Sequence, residues 1–475
     1  MPPPTETVRQ PLPPGPRTPW LGIGLLRQWA RSPVETPVRL QRDYGDLVRA
    51  RIVFSDYLWV FDPAIARQVL LARDDDFVKD ARQLDVFQDI QGRNVLTVEG
   101  TDWQRQRRIL TPAFSPRRMA GYLTLMQQAA DATFRDMLPA SPGTAAELDA
   151  ETFCTRLTMD VISRALFSEK ITADTSARVS EAIAVLSRQG QREMFWLRTP
   201  PPWLPYPGRR TKLAAARQLN DWIARQIDQR LAAPRRPADE GDMLDAMLGA
   251  RDDTTGTGLS RQEVHDNCMA IFLAGHETSA KALAWWMGLM AHHPAEQESV
   301  RRELDSLPGA TFDDPADLNR ALESTQGVQA SLKEAMRLYP PIFATFMRRA
   351  RRELVLGGYR VARGTGVSVF ITNLQRDPRW FPDPDTFRPA RFLPGAPDIP
   401  RGAYLPFGAG GHVCIGQHFA TVEMALVAAL LLRRFELAPL TDSPLPPARL
   451  DIVLRPARPI RLRVTARAGE AVRSP

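Results

Sequence analysis

Three cysteines, Cys154, Cys268 and Cys414, are the first candidates for chemistry, and they lie 114 and 146 residues apart. That spacing gives neither a disulfide framework nor a C-x-x-C metal or redox pair. Cys414 stands apart from the other two in its surroundings, Phe407-Gly408-Ala409-Gly410-Gly411-His412-Val413-Cys414-Ile415-Gly416. The glycines permit a turn that side chains would resist, and a helical pattern begins just after the cysteine. The sulfur therefore lies near a helix N-terminus, where a thiolate is stabilised. A cysteine on its own is more often a small buried hydrophobe, so the other reactive groups decide. Glu334 and Arg337 share a helix face at i,i+3 spacing, which by itself reads as a surface pair. Glu277 and Thr278 put an acid beside a hydroxyl within a long apolar helical pattern, where they could handle protons. Trp103 and Arg107, one helical turn apart, could both point N–H groups at a carboxylate. Other motifs fail. His276-Glu277 opens H-E-x-x-H but Ala280 stands where the second histidine belongs, Val413 replaces the third glycine of G-x-G-x-x-G, and no Gly-Lys pair marks a phosphate loop.

The elements that must hold these groups are mostly helical. The chain has 475 residues, a net charge of +8, and 44% hydrophobic and 24% charged residues, the composition of a globular protein rather than a disordered or fibrous one. Of its 62 basic residues, five are Lys and 57 Arg, scattered without zinc-finger spacing or a basic-aromatic RNA motif, so no nucleic-acid partner is expected. Helical spacing covers Arg118 to Met137, Ala145 to Phe167, Asp174 to Gln189, Lys212 to Leu231, Ser260 to His292, Ala321 to Leu338 and Gly416 to Phe435. Leu47 to Phe54 and Tyr57 to Phe61 around Ser55-Asp56, and Tyr359 to Ile371 around Gly364-Thr365-Gly366, each read as a hairpin and account for a small sheet. Breaks fall at Thr199 to Arg210, Ala233 to Asp242 and the proline-rich Pro378 to Leu405. The seven-residue apolar stretch Trp20 to Leu26 is too short for a signal peptide or membrane span, so no membrane anchor is expected. Few cysteines and no leader suit a cytoplasmic protein. The fold class expected is mainly α with a small β region: a Pro-rich loose segment over 1–19, one large domain over 20–465 and a loose tail over 466–475.

The string around Cys414 resembles the haem-binding loop of the cytochrome P-450 superfamily, and four further stretches match that family in order. Glu334-Ala335-Met336-Arg337 resembles its ExxR pair. Phe387-Arg388-Pro389-Ala390-Arg391-Phe392 resembles the segment whose arginine, here Arg391, joins that pair behind the haem. Ala274-Gly275-His276-Glu277-Thr278-Ser279 resembles the oxygen-binding groove, and Trp103 to Arg107 the WxxxR contact with a haem propionate. The resemblance covers essentially the whole chain. It implies the P-450 fold, with haem b between a long central helix and the cysteine loop and helix.

The resemblance assigns roles residue by residue. Cys414 is the axial iron ligand, whose thiolate favours cleavage of an O–O bond. Thr278 and Glu277 manage protons, while Ala274 and Gly275 keep the helix face low for dioxygen. Trp103, Arg107, Arg348 and His412 contact the propionates, with Arg349 an alternative to Arg348, and Phe407, Gly408 and Gly416 shape the loop. His412 departs from the arginine that many members carry. Asn373-Leu374-Gln375-Arg376-Asp377-Pro378 resembles the HRDP stretch, with Gln375 in place of His, away from the iron. Substrate contacts are expected from Val86, Phe87 and Leu96, from Phe272 in the long helix, and from Ile342, Phe343 and Phe346 after the double proline. Their apolar character points to a lipophilic substrate of the fatty acid, terpenoid, carotenoid or steroid class. The function implied is insertion of one oxygen atom from O2, with electrons from a ferredoxin or flavodoxin and its reductase, and NAD(P)H entering only through them. Arg105, Arg107, Arg108, Arg117 and Arg118 could present a basic docking face. The alternatives are a peroxide-using haem-thiolate enzyme and a non-catalytic haem or ligand carrier.

Overall fold

A computed structural model describes residues 11–53, 55–72, 75–196, 204–233, 241–308 and 314–467. The breaks expected at Thr199 to Arg210 and Ala233 to Asp242, and the two chain ends, fall partly outside these residues. Helices dominate, with short strands at intervals from Leu47 to Ala466, as a mainly helical pattern with a small β region indicates.

Two compact units divide the chain, and each is drawn from three separate stretches: 1–83, 343–384 and 399–413 form one, and 84–342, 385–398 and 414–475 the other. The first holds a five-stranded sheet. Leu47–Ile52 and Ser55–Val60 pair antiparallel as a hairpin, with Ser55 and Asp56 in the strand and not at the expected turn, Gly366–Val369 adds in parallel to Ser55–Val60, and Arg348–Ala350 and Phe77–Lys79 complete it. Leu40, Val48, Trp59, Phe61 and Phe370 form its core, with Trp59 and Phe370 ring centroids 4.8 Å apart. Such aromatic packing supplies much of the apolar burial in a small unit.

The second expected hairpin does not form. Tyr359–Val361 pairs instead with Leu354–Leu356, and Gly366–Val369 leaves for the larger sheet. Gly364 turns at φ +85° between them, so the glycine-rich stretch separates two sheets rather than closing one. The Pro-rich approach is not loose where it is described: the Pro14 carbonyl accepts the Arg49 N–H at 2.7 Å and Pro13 is buried. Prolines cannot donate, but their carbonyls can cover a sheet edge.

The second unit is built around the 32-residue helix Arg261–His292. Ser260 and Glu263 close a capping box at its start, the local reason it begins where the sequence indicates. From Ser279 to Ala291 every residue is buried, which matches a helix apolar on all sides and enclosed by protein. The helix expected over Ala145 to Phe167 begins only at Ala150, capped by the Asp149 side chain. Ala145–Asp149 is a strand paired with Arg461–Ala466, a partner more than 300 residues away that local periodicity cannot reveal. Likewise Ala321 to Leu338 is two helices, Pro315–Ser324 and Gln326–Leu338, meeting at Thr325. Among the described residues no helix is long and apolar enough to cross a membrane.

Candidate active site

Each unit carries part of the set of residues named above. In the helical unit, Cys414 lies three residues before the helix Gln417–Arg434, whose N-cap is Gly416. Its thiol is exposed, whereas Cys154 and Cys268 are buried. Solvent reaches the sulfur although protein surrounds it on most sides. That crowding pushes the thiol above its ordinary value, and the Gly416 N–H and the Arg107 charge pull it back. Arg107 is itself partly desolvated, which lowers its own proton affinity. An accessible thiol with a backbone donor and a cation beside it is a donor set suited to a thiolate–iron bond. No group of three or more His, Cys, Asp or Glu placed to hold a metal occurs among the described residues, and a haem needs only the one protein thiolate that Cys414 offers. The site residues therefore fit a haem.

The central helix opens in one place. Leu273, Glu277 and Thr278 are half-buried and Ala274 is exposed, all on one helix face, while Phe272, His276, Ser279 and Ala280 around them are buried. Thr278 donates its hydroxyl to the Ala274 carbonyl at 2.7 Å, the back-bond that loosens a helix. Ser187 of the helix Ala173–Met194 donates to Glu277 Oε2 at 3.4 Å. Burial raises the proton affinity of Glu277, while Lys281 and the Ser187 hydroxyl counter it. His276 has the reverse fate. Burial lowers it to about 4 and its Nδ1 pairs with the Phe272 carbonyl at 2.8 Å, so it is a neutral core side chain.

Gly275 is half-buried, and a Cβ there would meet Ile162 Cδ1 at 3.0 Å, so its missing side chain serves the close approach of the helix Ala150–Phe167. Two substrate candidates are also displaced. Phe272 is 0% exposed with its ring against Trp222, and Val86 is 2% exposed, so both pack in the core. Phe87, Leu96 and Ile342 remain partly accessible.

Glu334 and Arg337 are both 0% exposed, so the pair is internal and not the surface pair that its spacing alone suggests. Arg337 donates Nε to Glu334 Oε2 at 2.7 Å and Nη2 to Oε1 at 2.8 Å, and reaches the Thr386 carbonyl at 3.2 Å. Arg391 Nε adds a bond to Glu334 Oε1 at 3.3 Å and the Arg388 N–H another at 2.9 Å. A carboxylate so fully coordinated locks the 385–398 stretch to the helix Gln326–Leu338. Trp103 and Arg107 share the helix Gly100–Leu110, both half-buried, as their spacing requires.

In the sheet unit, Gly408 and Gly410 hold φ values of +74° and +75°, and a Cβ on Gly410 would strike the Leu70 carbonyl at 2.1 Å. Phe407 and His412 are half-buried. Arg349 pairs with Asp80 and reaches the Gly364 carbonyl at 2.8 Å, which commits it elsewhere and leaves Arg348, 8% exposed, as the better propionate candidate. Phe343 and Phe346 are half-buried.

Sequence reasoning missed three positioning residues. Gln375, 0% exposed, accepts the Leu405 N–H at 2.9 Å and so holds the entry to the cysteine loop. Asn267 accepts the Val95 N–H at 3.0 Å and fixes the segment ahead of Trp103. Ser187 is the third. A lone polar residue in a helical pattern carries no signal of a distant partner. The basic docking face is also mostly spent internally: Arg105 pairs with Glu263, Arg108 with Asp252 at 2.7 Å, and Arg118 reaches the Gly241 carbonyl at 3.0 Å. Arg117 is exposed.

Comparison with known proteins gives a consistent result. The family model described as Cytochrome P450 matches residues 12–464. Cyclooctatin synthase of Streptomyces melanosporofaciens is 32% identical over 445 residues, covering 93% of each chain. Cyclooctat-9-en-7-ol 5-monooxygenase of the same organism is 34% identical over 85% of this chain and 84% of its own. Pentalenene oxygenase of Streptomyces avermitilis is 30% identical over 94% of this chain and 95% of its own.

Proposed function

The chain belongs to the cytochrome P450 family, and on that premise we propose that it adds one oxygen atom of dioxygen to a lipophilic, terpenoid-type substrate. It is an oxidoreductase of the monooxygenase kind and a haem-b protein. The observation that carries the reading is the accessible face of the central helix, where Ala274 lies beside Glu277 and Thr278 within an otherwise buried stretch. When bound, the haem thiolate supplies activated oxygen.

The chain's own residues do the rest. Cys414 holds the iron, with the Gly416 N–H and the Arg107 charge favouring the thiolate. Trp103, Arg107, Arg348 and His412 offer N–H groups to the propionates. Phe407 and Gly408 shape the approach to the cysteine. Glu277, its proton affinity raised by burial, keeps a proton closer to neutral pH than an exposed glutamate and can release it towards Thr278. The Thr278 O–H is tied to the Ala274 carbonyl, so its lone pairs are free to accept a proton or orient a water. Glu334, Arg337 and Arg391 position the segment behind the site.

Phe87, Leu96, Ile342, Phe343 and Phe346 offer apolar contacts without a compensating charge, which suits a hydrocarbon skeleton. Relatives named for cyclooctat-9-en-7-ol and pentalenene support a terpenoid within the lipophilic class. Electrons come from a separate ferredoxin or flavodoxin, with NAD(P)H used only by its reductase. The test is titration of the ferric protein with cyclic terpenes, carotenoids, fatty acids and steroids while the Soret band is followed. A saturable low-to-high-spin shift with cyclic terpenes alone is expected. A shift confined to fatty acids, with product formed from peroxide and none from a ferredoxin system, would replace this reading with the peroxide-using one.

A further inference from the structure

Between the helices Ala81–Gln91 and Gly100–Leu110 the chain turns without forming helix or strand, and there its polar and apolar side chains have changed places. Asn94 and Thr97 are 0% exposed, while Val95 and Leu96 between them are only half-buried. Globular proteins ordinarily do the reverse.

The polar side chains are enclosed because the backbone needs them. The Arg93 N–H donates to Asp266 Oδ2 at 2.8 Å, the Asn94 N–H to Thr97 Oγ1 at 3.0 Å, the Val95 N–H to Asn267 Oδ1 at 3.0 Å and the Leu96 N–H to Asn94 Oδ1 at 3.0 Å. The Thr97 and Val98 N–H groups both reach the Asn94 carbonyl at 2.9 Å. Six consecutive donors are thus satisfied inside the protein, where a surface loop would leave most of them to water. The Thr97 hydroxyl closes the turn by donating to the Gly92 carbonyl at 2.8 Å. Asp266 and Asn267 are neighbours on the central helix, 5% and 0% exposed, so the turn is keyed to that helix at two points. Both are held in their turn: Gln262 Nε2 donates to Asp266 Oδ1 at 2.7 Å, and the Asn267 amide donates to Gln106 Oε1 at 2.9 Å and to the Glu263 carbonyl at 2.8 Å. An enclosed and fully satisfied network has one arrangement rather than many, so Val95 and Leu96 are presented from a fixed base.

We propose that the turn Arg93–Val98 is a preformed wall of the substrate space whose rigidity selects a compact ring skeleton over a flexible chain, with Asn94, Thr97, Asp266 and Asn267 as its positioning residues. The proposal rests on the terpenoid reading and deepens it. A ring system arrives with its shape already set and meets a fixed wall with little ordering. A flexible chain must freeze its own rotors to match that wall, which opposes binding. A wall able to move would close round either.

Hydrogen exchange and a spin-shift titration test it together. In the wild type the amides of residues 94–98 should exchange as slowly as those of the central helix. Thr97→Val keeps the shape but removes the hydroxyl that accepts the Asn94 N–H and donates to the Gly92 carbonyl. The variant should fold, keep the red-shifted Soret band of the reduced carbon monoxide complex, and exchange those amides about tenfold faster. With the tightest-binding cyclic terpene of the panel above and palmitic acid as probes, its preference for the terpene should fall about tenfold, and the terpene should be oxidised at several positions where the wild type oxidises one. Thr97→Ser, which keeps the hydroxyl, should behave as the wild type. A merely structural role would weaken both probes alike and leave their ratio unchanged. That result, or wild-type amides that exchange at the rate of an open loop, would overturn the wall, and the second needs no variant to fold. If no cyclic terpene shifts the wild-type band while those amides stay protected, the terpenoid reading falls, and the claim of selection with it.

Discussion

Glu334 shows how burial changes the meaning of a residue pair. At i,i+3 with Arg337 it looks like one of many surface ion pairs, worth little. In the structure its two oxygens take bonds from Arg337, Arg391 and the Arg388 N–H, with no access to water. Removing one charge from such a group leaves the others buried and uncompensated. Glu334→Gln is expected to lower stability by about 3–5 kcal/mol, read as a fall in the urea midpoint with the slope unchanged. A loss below 1 kcal/mol would mean that water enters and pays for the missing charge. The residue types at this site were legible in the sequence because Cys414, the Glu334/Arg337 pair and Glu277-Thr278 keep fixed spacings within single elements. Gln375 and Ser187 were not, since each acts on a partner in another element.

At the scale of elements, caps made helix starts readable. Ser260 with Glu263 and Asp149 with its N–H groups are local devices, visible within four residues. Strands were not readable in the same way, because Ala145–Asp149 is defined by Arg461–Ala466 and not by its own alternation. The loop before Cys414 mixes both cases. Its glycines announce a turn, but which glycine is indispensable depends on a neighbour: Gly410 faces the Leu70 carbonyl, whereas a Cβ on Gly416 would meet Phe114 at an ordinary 3.7 Å. Gly410→Ala is therefore expected to lower the melting temperature and the fraction of protein that takes up haem, at a cost of about 2 kcal/mol or more from the left-handed backbone and the clash. Full haem uptake with an unchanged melting temperature would show that the loop can move away from Leu70.

For the whole molecule, two enclosed groups with strongly displaced titrations contribute to how stability follows pH. His276, held near 4 in the fold against 6.5 when free, refuses a proton that the unfolded chain accepts, so its contribution is lost as pH falls from about 6.5 towards 4. Glu423 works in the opposite sense. Its folded value of about 8 lies above the ordinary 4.5, so the stability it contributes is complete below 4.5 and declines as pH rises towards 8. The two slopes oppose between 4.5 and 6.5, and of these two groups only Glu423 acts from 6.5 to 8. Melting temperatures should therefore drop from pH 6.5 to 8.5 in the wild type, and Glu423→Gln should flatten that limb while His276→Gln flattens the acid one. Parallel curves for all three proteins would place both groups in contact with water. The sequence by itself determined the family, the helical class, the cysteine ahead of a helix start and the acid–hydroxyl pair, since these rest on residue identity at short spacing. Only the tertiary structure decided that Glu334 is enclosed, that Gly275 serves Ile162, that Gln375 ties the cysteine loop and that Glu423 stands unpaired beside Ser279. Burial and partner choice depend on segments tens to hundreds of residues apart, and local periodicity holds no information about which of them meet.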